Sequence, residues 1–171
     1  GSLIATDVVL AAGHCVNSFR NNWVRVGIHN YTQEPWMPPR SSIRRQVRHP
    51  DYNGGNLRND VKLMFLNTPL YDIPTVPLTQ NGPTTGEQLT VMGMGRTEYK
   101  GSSSDVLLKV TVPVASNAVC SNQYGNGYVP EIMYCAGGDY KDSCQGDSGG
   151  PMIDEAGVQV GIVSWGIECA L

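Results

Sequence analysis

The chain has 171 residues, room for one ordinary domain or two small halves that share an interface. Apolar residues supply 40% of it, enough to bury a core, while charged residues supply only 16%. Twelve basic against fifteen acidic side chains leave a net charge of −3, so no overall positive field exists to hold nucleic acid or an anionic membrane surface. No apolar run approaches the roughly 18 residues that a membrane span requires. Twenty glycines and eleven prolines favour short strands joined by turns over long surface helices.

The chain opens on Gly1-Ser2, without methionine and without a basic-then-apolar leader, and Leu3-Ile4-Ala5 already reads as strand. It stops at Leu171 inside an apolar, cysteine-containing stretch, so the sequence is read as an excerpt of a longer protein. Val8, Val9, Leu10, Ala11 and Ala12 form an apolar run ending at Gly13, His14 and Cys15, which sets an ionisable ring at the edge of a core. Asn30-Tyr31-Thr32 is a glycosylation sequon, with Asn30 as the acceptor. His29 and His49 lie in polar sequence and read as solvated loop histidines. The basic cluster Arg40, Arg44, Arg45 and Arg48 reads as a solvated strand face, with polyanion binding or an autolysis site as the alternatives.

Asp60 opens the nearly continuous apolar run over 61–66, a strand covered on both sides; a carboxylate there needs a partner. Residues 69–86 carry four prolines and few strand signals, as a linker between two similar halves would. Leu108, Val110, Val112 and Val114 alternate onto one face, and Val158, Val160 and Ile162 repeat the pattern. Only residues 115–122 suggest a short helix, with Ser116 as its cap. Turn clusters separate these segments, and the spacing predicts an all-β chain of roughly ten strands.

Five cysteines, Cys15, Cys120, Cys135, Cys144 and Cys169, form no C-x-x-C pair, which removes support for zinc ribbons and thioredoxin-like motifs. Scattered singly through a loop-rich chain, they point to disulfides in an oxidising compartment, with one left over.

The most informative segment is Gly146-Asp147-Ser148-Gly149-Gly150-Pro151. A serine hydroxyl is a poor nucleophile until a base takes its proton and the developing oxyanion is held. Flanking glycines permit the tight turn that aims backbone N–H groups at a reacting carbonyl. The bland alternative is a glycine-rich turn in which the serine caps something. Of three histidines, His14 is the best-placed base, and the chain order His14, Asp60, Ser148 is one in which catalytic triads occur.

On these residues the chain resembles the chymotrypsin-like serine proteases, and among them the trypsin-like group. Ala11-Ala12-Gly13-His14-Cys15 is similar to the family's histidine motif, Asn59-Asp60-Val61 to its aspartate motif, and residues 142–151 to its serine motif. Ser164-Trp165-Gly166 resembles the strand that binds substrate backbone. The resemblance implies two antiparallel six-stranded β-barrels: residues 1–77, with the first strand missing, and 87–171, with the last strand and closing helix missing. Residues 78–86 would link them, with the cleft between the barrels. It further implies His14 as base, Asp60 as its orienting carboxylate, Ser148 as nucleophile, and the N–H groups of Gly146 and Ser148 as the oxyanion hole. Ser164 would sit near Asp60, and Ser143, Trp165 and Gly166 would line the substrate site.

Asp142, six residues before Ser148, aligns with the floor of the primary pocket, where a carboxylate selects Arg or Lys; a solvent-facing acid beside Lys141 is the alternative. Asp147 would receive the ammonium freed by propeptide cleavage, or else hydrogen-bond the turn. Resemblance pairs Cys120 with Cys135 and Cys144 with Cys169, and gives Cys15 a partner outside the chain. The implied protein is a secreted, zymogen-derived endopeptidase acting on polypeptides and bound by protein inhibitors. It takes no cofactor and binds no nucleic acid or membrane. The 171-residue piece alone is expected to be inactive or poorly folded. The rival reading is an inactive homologue that uses the cleft as a binding module.

Several positions depart from the family pattern. Gly13 and Met94 replace the usual Ala and Trp, and Leu89 and Asp154 stand where many relatives carry a further disulfide. Glu168 replaces a small residue at the pocket rim, where it would narrow the entrance or favour basic side chains. The loop 27–34 offers one carboxylate, too few hard ligands for calcium, so no metal is expected.

Overall fold

A computed structural model describes residues 1–15, 22–33, 38–98, 100–138, 142–167 and 169. Nine strands, one short α-helix and one 3-10 turn (Gly125–Gly127) are present among them. The strands are β1 (Ser2–Ala5), β2 (Val8–Ala11), β3 (Trp23–Arg25), β4 (Arg40–Arg48), β5 (Lys62–Leu66), β6 (Gln88–Gly93), β7 (Leu108–Pro113), β8 (Pro151–Ile153) and β9 (Gln159–Ile162). They form two antiparallel sheets, ordered β1-β2-β5-β4-β3 and β7-β6-β8-β9. The all-β expectation and the division into two sheets therefore hold.

The strand count differs only slightly: among the described residues the sheets hold five and four strands, against the roughly ten expected of two six-stranded barrels each lacking one strand. Several pairings shrink to single bridges, Asn30 with Val106, Arg96 with Ser103 and Val114 with Ala136, because turns leave too few residues to extend a ladder.

Each sheet buries one face by period-two alternation. Leu3, Val9, Ala11, Ile43, Met64 and Leu66 form the first core, and Val91, Val112 and Val163 the second. In β7 the alternation begins only at Val110, since Leu108 stays exposed. In β9 the expected face is inverted. Gln159 is buried while Val158, Val160 and Ile162 are half-buried. Its inward amide is satisfied: Oε1 accepts from Ser2 Oγ at 2.6 Å, and Nε2 donates to the Gly161 carbonyl at 2.9 Å. The helix α1 (Asn117–Tyr124) starts two residues later than expected, but Ser116 caps it, accepting from the Val119 N–H at 3.3 Å.

Between β5 and β6 the chain changes partners. Leu70 and Val76 donate to Thr6 and Leu3 of the first sheet, while Pro77 and Thr79 exchange hydrogen bonds with Gln159 of the second. A second junction is tighter. A Cβ built on Gly149 would lie 2.8 Å from the Ala12 nitrogen, and Gly149 has φ +79°. Close approach and a left-handed backbone both demand glycine there. Gly149→Ala should cost about 2–3 kcal/mol and lower Tm by roughly 5–10 °C, read by thermal unfolding. An unchanged Tm would contradict this account of the junction.

Candidate active site

β2 ends at Ala11, and the fully buried Ala12 and Gly13 carry the chain to His14. Asp60 lies just before β5, after a turn in which Leu57 and Asn59 both adopt left-handed backbone, at φ 53° and 52°. That conformation is strained for Leu and tolerated by Asn. Gly13 packs directly on the carboxylate, since a Cβ there would lie 3.2 Å from Asp60 Oδ1. The Asp60 side chain is buried and accepts three hydrogen bonds. Oδ1 takes the His14 backbone N–H at 2.7 Å, while Oδ2 takes His14 Nδ1 at 2.6 Å and the Ser164 hydroxyl at 2.5 Å. A carboxylate offers only acceptors, so Nδ1 is the donor in this contact.

The Ser148 turn is built from its own backbone and from Val163, just after β9. Asp147 N–H donates to the Cys144 carbonyl at 3.0 Å and Gly150 N–H to the Asp147 carbonyl at 2.8 Å. Gly149 N–H donates to the Val163 carbonyl at 2.7 Å, and Val163 N–H returns a bond to Gly150 at 2.9 Å. Gly146, at φ +104°, presses on Gly95, leaving no room for a side chain. Among the described residues, the N–H groups of Gly146 and Ser148 donate to no acceptor. The Asp147 carboxylate is held beside Gly93 and Gly95, with Oδ1 accepting from Gly95 N–H at 2.8 Å and Oδ2 from Cys144 N–H at 2.9 Å.

The structure thus joins His14, Asp60 and Ser164 side chain to side chain. Ser148 is brought alongside by backbone: its carbonyl lies 3.6 Å from Cys15 Sγ, and its neighbour Gly149 packs on Ala12. Among the described residues the Ser148 hydroxyl has no hydrogen-bond partner, the His14 ring included. Such bonds commonly tighten only when substrate arrives.

Asp142, Ser143, Ser164, Trp165 and Gly166 all line one cavity of about 330 Å³. Asp142 is an exposed residue, yet the cavity walls crowd its carboxyl. Desolvation raises its pKa above the ordinary carboxylate value, and the Ser143 N–H, donating to Oδ1 at 2.7 Å, offsets part of that rise. Trp165 stacks edge-on against Tyr124 with ring centroids 5.1 Å apart. Cys120 is bonded to Cys135 and Cys144 to Cys169, and Cys15 is bonded to none of these four. Asn30 Oδ1 accepts from the Thr32 N–H at 2.8 Å and the Thr32 hydroxyl at 2.7 Å. Glu34, Lys141, Glu168 and Leu171 lie outside the described residues.

Lys62 was missed by pattern. It sits in an apolar run, on the buried face of β5, and its Nζ donates to the Cys15 carbonyl at 2.5 Å and to Gln46 Oε1 at 3.2 Å. Burial lowers its pKa, opposed by the nearby Cys15. Its place two residues after Asp60, in register with the buried Ala11, was the available signal.

Comparison with known proteins agrees with this geometry. A family model described as Trypsin matches residues 1–171. The chain is 37% identical to a trypsin of Xenopus laevis over 99% of its own length and 70% of that protein. It is 39% identical to trypsin I-P1 of Gallus gallus, covering 99% and 69%, and 38% identical to trypsin V-A of Rattus norvegicus, covering 100% and 70%. A two-sheet β fold, two disulfides and similarity along the whole chain lead to one assignment: the chain belongs to the trypsin family of serine endopeptidases.

Proposed function

We propose that this enzyme is a secreted protease cleaving polypeptides after Arg or Lys, with Ser148 as nucleophile, His14 as general base and Asp60 as its orienting carboxylate. The observation that carries the reading is the buried Asp60 side chain, bonded at once to His14 Nδ1 at 2.6 Å and Ser164 Oγ at 2.5 Å. With Nδ1–H fixed on Asp60, Nε2 accepts the Ser148 proton as Oγ attacks the scissile carbonyl. Asp60 stabilises the imidazolium that forms, and the unpaired N–H groups of Gly146 and Ser148 receive the oxyanion. The imidazolium then protonates the departing amine, leaving an acyl-enzyme on Ser148. Water deprotonated by His14 hydrolyses that ester and restores both side chains.

The specificity reading rests on Asp142. Ser143 fixes one carboxylate oxygen, and the other is left to a cationic side chain entering the cavity. Residues 164–166 make no backbone hydrogen bond among the described residues, which suits them to pair with an extended substrate or a protein inhibitor. Asp147, held by two backbone N–H groups, retains lone pairs for an ammonium, in keeping with activation by propeptide cleavage. Residues 1–77 and 87–171 are read as the two halves that form the cleft, with 78–86 between them. The two disulfides support secretion.

An aryl phosphonate should label the activated protein at a single residue, Ser148. Ser148→Ala should abolish labelling and lower kcat by a factor on the order of 10⁴–10⁶ while leaving the fold intact. Labelling elsewhere, or turnover surviving in Ser148→Ala, would refute the assignment.

Asp142→Ser should lower kcat/KM for an Arg ester about 100-fold or more and change that for a Phe ester little. Because desolvation raises the Asp142 pKa, its charge is lost on acidification at higher pH than an ordinary aspartate's. KM for Arg substrates should therefore climb as pH falls through that titration, and in Asp142→Ser this limb should vanish. Equal use of both esters by the parent enzyme would overturn the pocket assignment.

A further inference from the structure

We propose that Lys62 is a positioning residue of the active site: together with Asp60 it grips the main chain on either side of His14 and holds the imidazole in line for proton transfer. The inference rests on the reading of His14 as general base. On one side, Asp60 Oδ1 accepts the His14 N–H at 2.7 Å. On the other, Lys62 Nζ donates to the Cys15 carbonyl at 2.5 Å. A carboxylate and an ammonium two residues apart in the chain thus bracket the segment that carries the ring.

Burial makes this lysine informative. Lys62 is 2% exposed and shares the buried face of β5 with Met64 and Leu66, both part of the first core. An apolar side chain of similar length would avoid the cost of desolvating an ammonium, and such replacements are often neutral or stabilising. Stability alone therefore gives no reason for a lysine here. Its bonds do. The ammonium ties the Cys15 carbonyl to Gln46 Oε1 of β4, which it reaches at 3.2 Å. Its own strand, β5, is paired on both sides, with Lys62 opposite Ala11 of β2 and Arg48 of β4. The grip on Cys15 is thus mounted on the centre of the first sheet.

Cys15 is also where the histidine segment meets the serine turn. Its Sγ lies 3.6 Å from the Ser148 carbonyl, and its N–H donates to the Ala12 carbonyl at 3.2 Å. Ala12 in turn is the residue against which Gly149 packs. Fixing Cys15 therefore fixes the approach of His14 to Ser148 as well as the path of the chain. The imidazole passes a proton in both acyl transfer and deacylation, so a small misplacement slows both steps alike. Substrate contacts are untouched, and the loss falls on kcat with KM unchanged.

The test is steady-state kinetics of the activated protein on a small Arg anilide, with Lys62→Met and with Lys62→Gln, which is polar but one bond shorter. Both should lower kcat about 10- to 100-fold and keep KM within about twofold. Labelling of Ser148 by an aryl phosphonate should slow by the same factor, since it needs the same base. Lys62→Met should melt within about 3 °C of the parent. Leu66→Val, which removes a methylene from the same buried face, should lower Tm by a few degrees yet keep the parent kcat. Ser148→Ala separates the two readings. Turnover surviving there would sink the nucleophile assignment, whereas its loss beside an unchanged Lys62→Met would sink only the role of Lys62. Parent kcat in either folded lysine variant, a rise in KM that accounts for the loss, an equal loss in Leu66→Val, or failure of both lysine variants to fold would each overturn the proposal.

Discussion

A buried carboxylate without partners is among the costliest features a small domain can carry, and Asp60 is tolerated because three donors converge on it. Two of those donors belong to His14 and the third to Ser164, more than a hundred residues later in the chain. The demand for partners therefore acts at long range. The turn before β5 and the end of β9 must arrive at one point, or a charge is left stranded in the interior. The same contact that makes this junction affordable orients the imidazole, so stability and chemistry are set by one group of hydrogen bonds.

Around that point the backbone matters as much as the side chains. Gly149 lies where no Cβ fits against Ala12, and Gly146 where none fits against Gly95. Asp147, between them in sequence, projects into a recess beside Gly93 and Gly95. Glycine here is a requirement of closeness: three stretches of main chain meet within van der Waals distance. The orientation of the Gly146 and Ser148 N–H groups follows from that packing.

Much of this was legible in the amino-acid order. The run 146–151 is dense enough in glycine around one serine to announce a specialised turn, and Ser116 announced its helix. Both disulfide pairings implied by resemblance are present. Other features escaped because they depend on partners that no local pattern reveals. Val158, Val160 and Ile162 alternate correctly for a buried face, yet Gln159 turns inward because Ser2 and the Gly161 carbonyl satisfy its amide. Lys62 breaks an apolar run, but only the fold brings the Cys15 carbonyl within reach of its ammonium. Strand number falls only one short of the roughly ten expected, and several further pairings are single bridges.

The exchange of partners along the segment between β5 and β6 has a mechanical consequence. Val76 is bonded to Leu3 while Pro77 and Thr79 are bonded to Gln159, whose side chain in turn holds Ser2. The connector is thus stitched into both sheets, unlike a slack tether that would let each half move alone. Prying the halves apart would strip hydrogen bonds from β1, β9 and the connector together. Melting of either sheet should therefore be coupled to loss of the other.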